Sequence, residues 1–187
     1  MKKILLPVLV VLVMSVSVLA QANIGFNGIG VKVGYVMPED PIESTFGFGL
    51  NADLGTITPK IKLGAFLDYW SKSYDYDYGY GASSEATFSV LAIGALARYD
   101  FTTSGNIKPY VAGGLGLDFG TFKWEWENPY TGDKEDESES DSEFAIHLIG
   151  GAEMPLSPTM TGFAEVKYVI SDPEYFGIFV GVMYKLK

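Results

Sequence analysis

The sequence predicts an all-β protein: an eight-stranded antiparallel up-and-down transmembrane β-barrel. Three observations carry this expectation. About eight runs behind the N-terminus alternate with a period of two, and none shows a helical period. Most of these runs approach the ~9–11 residues that a tilted membrane strand needs. The third observation is chemical. One face of each run is apolar, while the other carries Gly, Lys, Asp, Glu, Arg and Asn. A soluble barrel hides its apolar face inside. Here the inward face is charged, so the apolar face meets lipid.

Residues 1–22 read as a secretory signal peptide, with 23–187 as the barrel domain. Lys2 and Lys3 form its charged start, Ile4 to Val13 its apolar centre, and Ala20-Gln21-Ala22 a small-residue cleavage site. The first run is Gly28 to Met37, where Ile29, Val31, Val33 and Tyr35 oppose Gly30, Lys32 and Gly34. The second, Thr45 to Ile57, sets Phe46, Phe48 and Leu50 against Gly47, Gly49, Asn51 and Asp53. The third starts at Ile61, with Leu63, Ala65, Leu67 and Tyr69 opposing Lys62, Gly64, Phe66, Asp68 and Trp70. A longer connection is expected over 71–84.

The fourth run, Glu85 to Phe101, sets Leu91, Ile93 and Ala95 against Ala92, Gly94, Arg98 and Asp100. Its early residues Phe88 and Val90 have the opposite parity, which reads as a bulge or as a strand leaving the membrane. The fifth, from Ile107, sets Val111, Leu115, Leu117 and Phe119 against Lys108, Tyr110, Gly114 and Asp118, and extends to Glu127. An acidic loop is expected over 128–142. The sixth run, Glu143 to Met154, places His147 and Glu153 inside. The seventh, Thr161 to Ile170, places Glu165 and Lys167 there. The eighth, Tyr175 to Leu186, places Gly181 and Lys185 there. Connections after the second, fourth and sixth runs are short and would face the periplasm, as in outer-membrane barrels.

The parity gathers an interior charge network of Lys32, Asp53, Lys62, Asp68, Arg98, Asp100, Asp118, His147, Glu153, Glu165, Lys167 and Lys185. An eight-stranded barrel has little internal volume, so such charges must pair or be hydrated. Glycines between them leave room for long side chains. Two exterior stretches form a candidate loop surface. Tyr74, Tyr76, Tyr78 and Tyr80 suit an aromatic belt at the lipid headgroups, joined by Trp70, Trp124 and Trp126, or a contact surface for a protein or glycan. Glu135, Asp136, Glu137 and Glu139 form a solvated acidic loop and a candidate weak site for a divalent cation such as calcium, without EF-hand spacing.

Composition narrows the function. Formal charge is −10, falling to −12 without Lys2 and Lys3, which argues against nucleic-acid binding. There is no cysteine and one histidine, so neither a zinc or copper site nor a catalytic triad is indicated. The expectation is a non-enzymatic, cofactor-free monomer.

The run Lys108-Pro109-Tyr110-Val111-Ala112-Gly113-Gly114-Leu115-Gly116 resembles the lysine/arginine-proline-tyrosine-glycine stretch of the outer-membrane protein beta-barrel domain family, which includes opacity-like adhesins and OmpA-like membrane domains. Gly181, Tyr184 and Leu186 are similar to that family's C-terminal assembly signal, although Leu186 stands where an aromatic is usual and Lys187 follows. The resemblance covers the mature chain. It implies a cell outer-membrane location, lipid and assembly-machinery partners, and a structural or adhesive role. A small porin-like channel or transport protein is the first alternative. A soluble periplasmic ligand-binding barrel is the second, and it requires Phe46, Phe48, Leu63, Val111 and Ile178 to line the interior.

Overall fold

A strand in lipid must pair both of its edges, because no water is available to its backbone N–H and C=O groups. Closure of the sheet is the solution adopted here. The structure, a computed structural model, describes residues 22–79, 82–127 and 134–186. Its strands are β1 (Asn23–Pro38), β2 (Thr45–Thr58), β3 (Ile61–Gly79), β4 (Ala82–Asp100), β5 (Lys108–Glu127), β6 (Lys134–Pro155), β7 (Met160–Ile170) and β8 (Tyr175–Lys185). Each pairs antiparallel with the next, and β1 closes on β8. The signal peptide expected over 1–22 lies outside the described residues except for Ala22.

Burial decides which face is inside. Val33 and Val180 are 60% and 55% exposed, whereas Lys32 and Lys167 are 3% and 0% exposed. The apolar face is therefore outward and the charged face inward. Phe46, Phe48, Val111 and Ile178 all point outward, which removes the soluble ligand-binding reading.

The strands are unequal. β3 to β6 run 19, 19, 20 and 22 residues. β1, β2, β7 and β8 run only 16, 14, 11 and 11. One wall thus rises well above the other at the end opposite the chain termini.

This corrects two expected loops. Residues 71–79, 82–84 and 134–142 are strand. Their polar alternation keeps the period of two, and each has a strand neighbour to pair with. The bulge considered at Phe88 and Val90 is also absent, since β4 holds an unbroken register with β5 from Ser83–Glu127 to Asp100–Tyr110. What changes there is the chemistry of the two faces. β1 begins earlier than expected, at Asn23, with a register shift between Ile24 and Gly28. Opposite it, Gly55 adopts φ 98°, a region that glycine enters readily. Asp53 Oδ1 accepts the Gly55 N–H at 2.8 Å.

Outward aromatics mark the membrane's exterior level. Tyr35 packs edge-on against Phe46, and Phe48 lies tilted against Tyr69. One row higher, Ser71, Ser89, Thr121 and Ser140 lie side by side across β3 to β6. Below that row the outer face is apolar except for Ser142 of β6, and above it the outer face is polar.

Close packing inside the ring leaves no room at several glycines. A Cβ at Gly34 would sit 2.3 Å from Ile178 O and 2.4 Å from the Phe179 ring. Gly113, on the lipid face, has open space. Gly34→Val is expected to lower folding stability by ~1–3 kcal/mol or more through overpacking, and Gly113→Ala to leave it nearly unchanged. Urea titration of the refolded barrel, read by the heat-modifiable band on an unboiled gel, checks both.

Candidate functional site

Alternation on β1, β3 and β7 aims Lys32, Asp68, Glu165 and Lys167 at one level of the lumen. Lys32 Nζ lies 3.0 Å from Asp68 Oδ1 and 2.9 Å from Glu165 Oε1. Lys167 Nζ lies 2.6 Å from Asp68 Oδ2 and 4.1 Å from the Phe66 ring centroid. Two ammonium groups and two carboxylates therefore balance without solvent. Glycines make the space: a Cβ at Gly49 would sit 2.1 Å from Asp68 Oδ1, and one at Gly181 2.9 Å from Lys32 Cβ.

A second cluster lies toward the termini. Arg98 contacts Asp100 Oδ1 and Glu153 Oε2, each at 2.5 Å. Lys62 Nζ reaches Asp100 Oδ2 at 2.6 Å. Tyr110 joins the two clusters. Its ring lies 3.7 Å under the Arg98 guanidinium, and its O–H donates to Glu165 Oε2 at 2.9 Å. Tyr110 was absent from the expected charge network because its parity identifies an inward residue but no partner. The Lys-Pro-Tyr motif was the signal that could have singled it out.

Of the other expected residues, His147 is fully buried with Nε2 3.5 Å from Asp118 Oδ1, and its ring packs against Phe66. Asp118 also accepts from the Ser171 hydroxyl at 3.3 Å. Asp53 and Lys185 join neither cluster. They line a cavity of about 180 Å³ at the terminal end, together with Lys62, Arg98, Tyr110 and Glu165. At the opposite end the lumen is apolar. Val36, Trp70, Val90, Ala145, Val169, Tyr175 and Phe179 form a buried cluster, with Ile42 and Phe88 packed on it. Among the described residues the lumen is thus filled toward the exterior by the apolar cluster and at mid-height by ion pairs, with the cavity below them.

Trp70 belongs to this plug and not to a headgroup belt. The tyrosines also depart from the expected belt. Register continues the lumen-facing parity of Trp70 through Lys72, Tyr74 and Tyr76 on β3. It places Phe122, Trp124 and Trp126 on the same face of β5. Glu137, Glu139 and Asp141 of β6 share that face. Tyr76 stacks on Trp124 at 6.3 Å and 19° across the small, buried Ser84 and Ala86 of β4. The reverse face carries Ser73, Asp75, Thr87, Lys123, Asp136 and Ser138. Tyr80 lies outside the described residues, as do the side chains of Tyr78 and Glu135.

The 39–44 loop leans on this wall. Tyr74 O–H accepts the Glu43 N–H at 2.6 Å, and Lys72 Nζ lies 2.8 Å from Glu43 Oε2. The hydrogen bond from Lys72 to the Glu43 carboxylate raises the Lys72 pKa above its ordinary value. Lys123 is held charged in the same way by Glu125. Among the described residues, no group of three or more His, Asp or Glu converges to hold a metal. Strand geometry spreads the β6 acids, sending Asp136 to one face and Glu137 to the other. At the C-terminus Gly181 faces the lumen beside Lys32, while Tyr184 and Leu186 are exposed.

The chain belongs to the outer membrane protein beta-barrel domain family, whose model matches residues 6–185. It resides in the outer membrane. Neisserial surface protein A is 17% identical at a TM-score of 0.60, covering 85% of this chain and 96% of its own. The attachment invasion locus protein Ail of Yersinia pestis, in complex with the heparin analogue sucrose octasulfate, is 14% identical at 0.53, covering 86% and 99%. The N-terminal barrel domain of Pseudomonas aeruginosa OprF is 15% identical at 0.51, covering 87% and 99%. At these identities the likeness concerns the fold. Comparison with curated proteins found no match.

The mid-lumen ion pairs carry a stability consequence. Lys167→Met leaves Asp68 and Glu165 facing Lys32 alone, and is expected to cost ~3–5 kcal/mol. Asp68→Leu combined with Lys167→Met removes one charge of each sign and should recover part of that loss. Urea unfolding of the refolded barrel in detergent measures both.

Proposed function

We propose that this member of the outer-membrane barrel family is a non-enzymatic, non-conducting scaffold that presents a surface to the exterior, in a structural or adhesive role. The single observation behind this reading is the unequal wall. β3 to β6 continue as paired strands beyond the row Ser71, Ser89, Thr121 and Ser140, where no lipid requires them. A barrel that served only to span the membrane would have no use for that length. Loops and strand ends on a rigid frame are where binding surfaces sit.

The filled lumen supports the scaffold reading over the channel alternative. An ion entering from the exterior would have to displace the Trp70, Tyr175 and Phe179 cluster and then the Lys32, Asp68, Glu165 and Lys167 pairs. Lipids and the assembly machinery are the partners every such barrel requires. Beyond these, a surface protein or glycan is the partner class the exposed wall suits. The expected monomer fits the closed ring, which leaves no transmembrane edge to pair with a second copy.

Two measurements test this. Refolded protein in planar bilayers should show no discrete conductance steps, and Arg98→Ala should lower stability without opening any. Replacing residues 73–87 and 121–140 by short turns should leave a heat-modifiable barrel that no longer supports attachment of expressing cells to their target surface. Discrete steps in the unaltered protein would return the channel reading. Undiminished attachment by the shortened variant would end the surface reading.

A further inference from the structure

We infer that the lumen-parity face of the raised wall binds an extended, basic segment of a partner protein. This inference rests on the surface role proposed above and specifies the chemistry of the partner.

The face is built in rows. Across the four strands, Lys72, Phe88, Phe122 and Glu139 stand side by side, and next to them Tyr74, Ala86, Trp124 and Glu137. Each row runs from β3 through aromatic rings to a carboxylate on β6. Phe122, Trp124 and Trp126 are 45%, 38% and 36% exposed, so their rings remain open to the exterior. On the reverse face the same strands show Ser, Thr and charged groups, so the aromatics are not a by-product of general hydrophobicity.

Charge selects the occupant. Glu137, Glu139 and Asp141 have no ion-pair partner among the described residues. The one cation of these rows, Lys72, is already held by Glu43. Carboxylates next to Trp and Phe faces make a site for ammonium or guanidinium groups, which gain from both the ring quadrupole and the ion pair. The β6 acids repeat every second residue, about 7 Å apart along a strand. An extended peptide with a cation at every second residue has the same repeat. Polyanions are repelled, and a second copy of this chain would bring the same acids.

The edge of β6 points the same way. β6 pairs with β7 only from Ile146 onward, so residues 136–145 have no strand neighbour on that side, although Asp141 Oδ1 accepts the Ser142 N–H at 2.7 Å. Acidic side chains discourage strands of neutral or acidic character from adding there. A basic strand is the one class that the same acids attract.

The test uses the full chain refolded into lipid nanodiscs, with an alternating Arg-Ser peptide of about twelve residues as the probe and a Glu-Ser peptide as the control. Biolayer interferometry should show saturable binding of the Arg-Ser peptide, weakening as salt rises. Trp124→Ser with Trp126→Ser should weaken it about tenfold, as should Glu137→Gln with Glu139→Gln. Asp75→Asn with Asp136→Asn removes two acids from the reverse face and should change it less than about twofold. All six changes lie at exposed or solvent-side positions, and the unboiled-gel band verifies folding in each case. Absence of binding overturns the inference. So does binding that survives loss of both tryptophans, which marks general attraction to an acidic surface, or preferential binding of the Glu-Ser peptide or a heparin fragment. A negative peptide result with cell attachment still dependent on the wall rejects the basic partner alone. Attachment that never depended on the wall rejects the surface role itself.

Discussion

The ion pairs at the middle of the lumen are the constraint on which the rest depends. An eight-stranded ring whose outer face must be apolar has only its inner face left for polar residues, and that face has no bulk water at mid-height. A lone buried charge there would cost several kcal/mol. Lys32, Lys167, Asp68 and Glu165 meet that constraint by cancelling in sign and by touching one another. The glycines follow from it. Gly49 and Gly181 exist as they do because a Cβ would strike the side chains that complete the pairs. The register follows as well, since a one-residue slip of β1 or β7 would send a lysine into lipid.

Above the pairs the logic of the wall reverses. In the membrane the outer face is apolar and the inner face polar. Beyond Ser71, Ser89, Thr121 and Ser140 the outer face is polar and the inner face aromatic. The backbone passes through this boundary without a bulge, so the same β-sheet serves two solvents by exchanging side-chain chemistry between its faces. The Trp70, Val90 and Phe179 cluster sits at the crossover. It seals the lumen and begins the aromatic face in the same residues.

Much of the barrel was legible from residue order. The parity of β1, β2, β7 and β8 and most of the inward charges follow from a period of two, which survives any uncertainty about register. Partners did not follow, because Lys32 meets Glu165 across 133 positions in sequence and only ring closure brings them together. His147 illustrates the gap: parity places it inside with Glu153 of its own strand, but the carboxylate beside it is Asp118 of β5, which no single run reveals. The raised wall was legible only in part. Residues 71–79, 82–84 and 134–142 are strand, but their inward and outward faces are both partly polar, a pattern that signals a turn when strands are judged singly. Four such stretches side by side pair with one another, and that cooperation cannot be seen one run at a time.

A four-stranded sheet with one polar and one aromatic face would hold poorly by itself, since nothing covers the aromatics and two edges stay open. The barrel supplies the foundation. Every strand of the wall continues into a paired transmembrane strand, and the 39–44 loop braces its base through Lys72 and Tyr74. The exposed rings are thereby held by strands instead of by a flexible loop, so little ordering remains to be done when something binds. A surface that stays ordered while unoccupied also invites non-specific association, and the β6 acids oppose it. Like charges along a strand edge oppose the addition of a neutral or acidic strand there. Stability from below and charge from the side are what allow an uncovered aromatic face to stand outside the membrane.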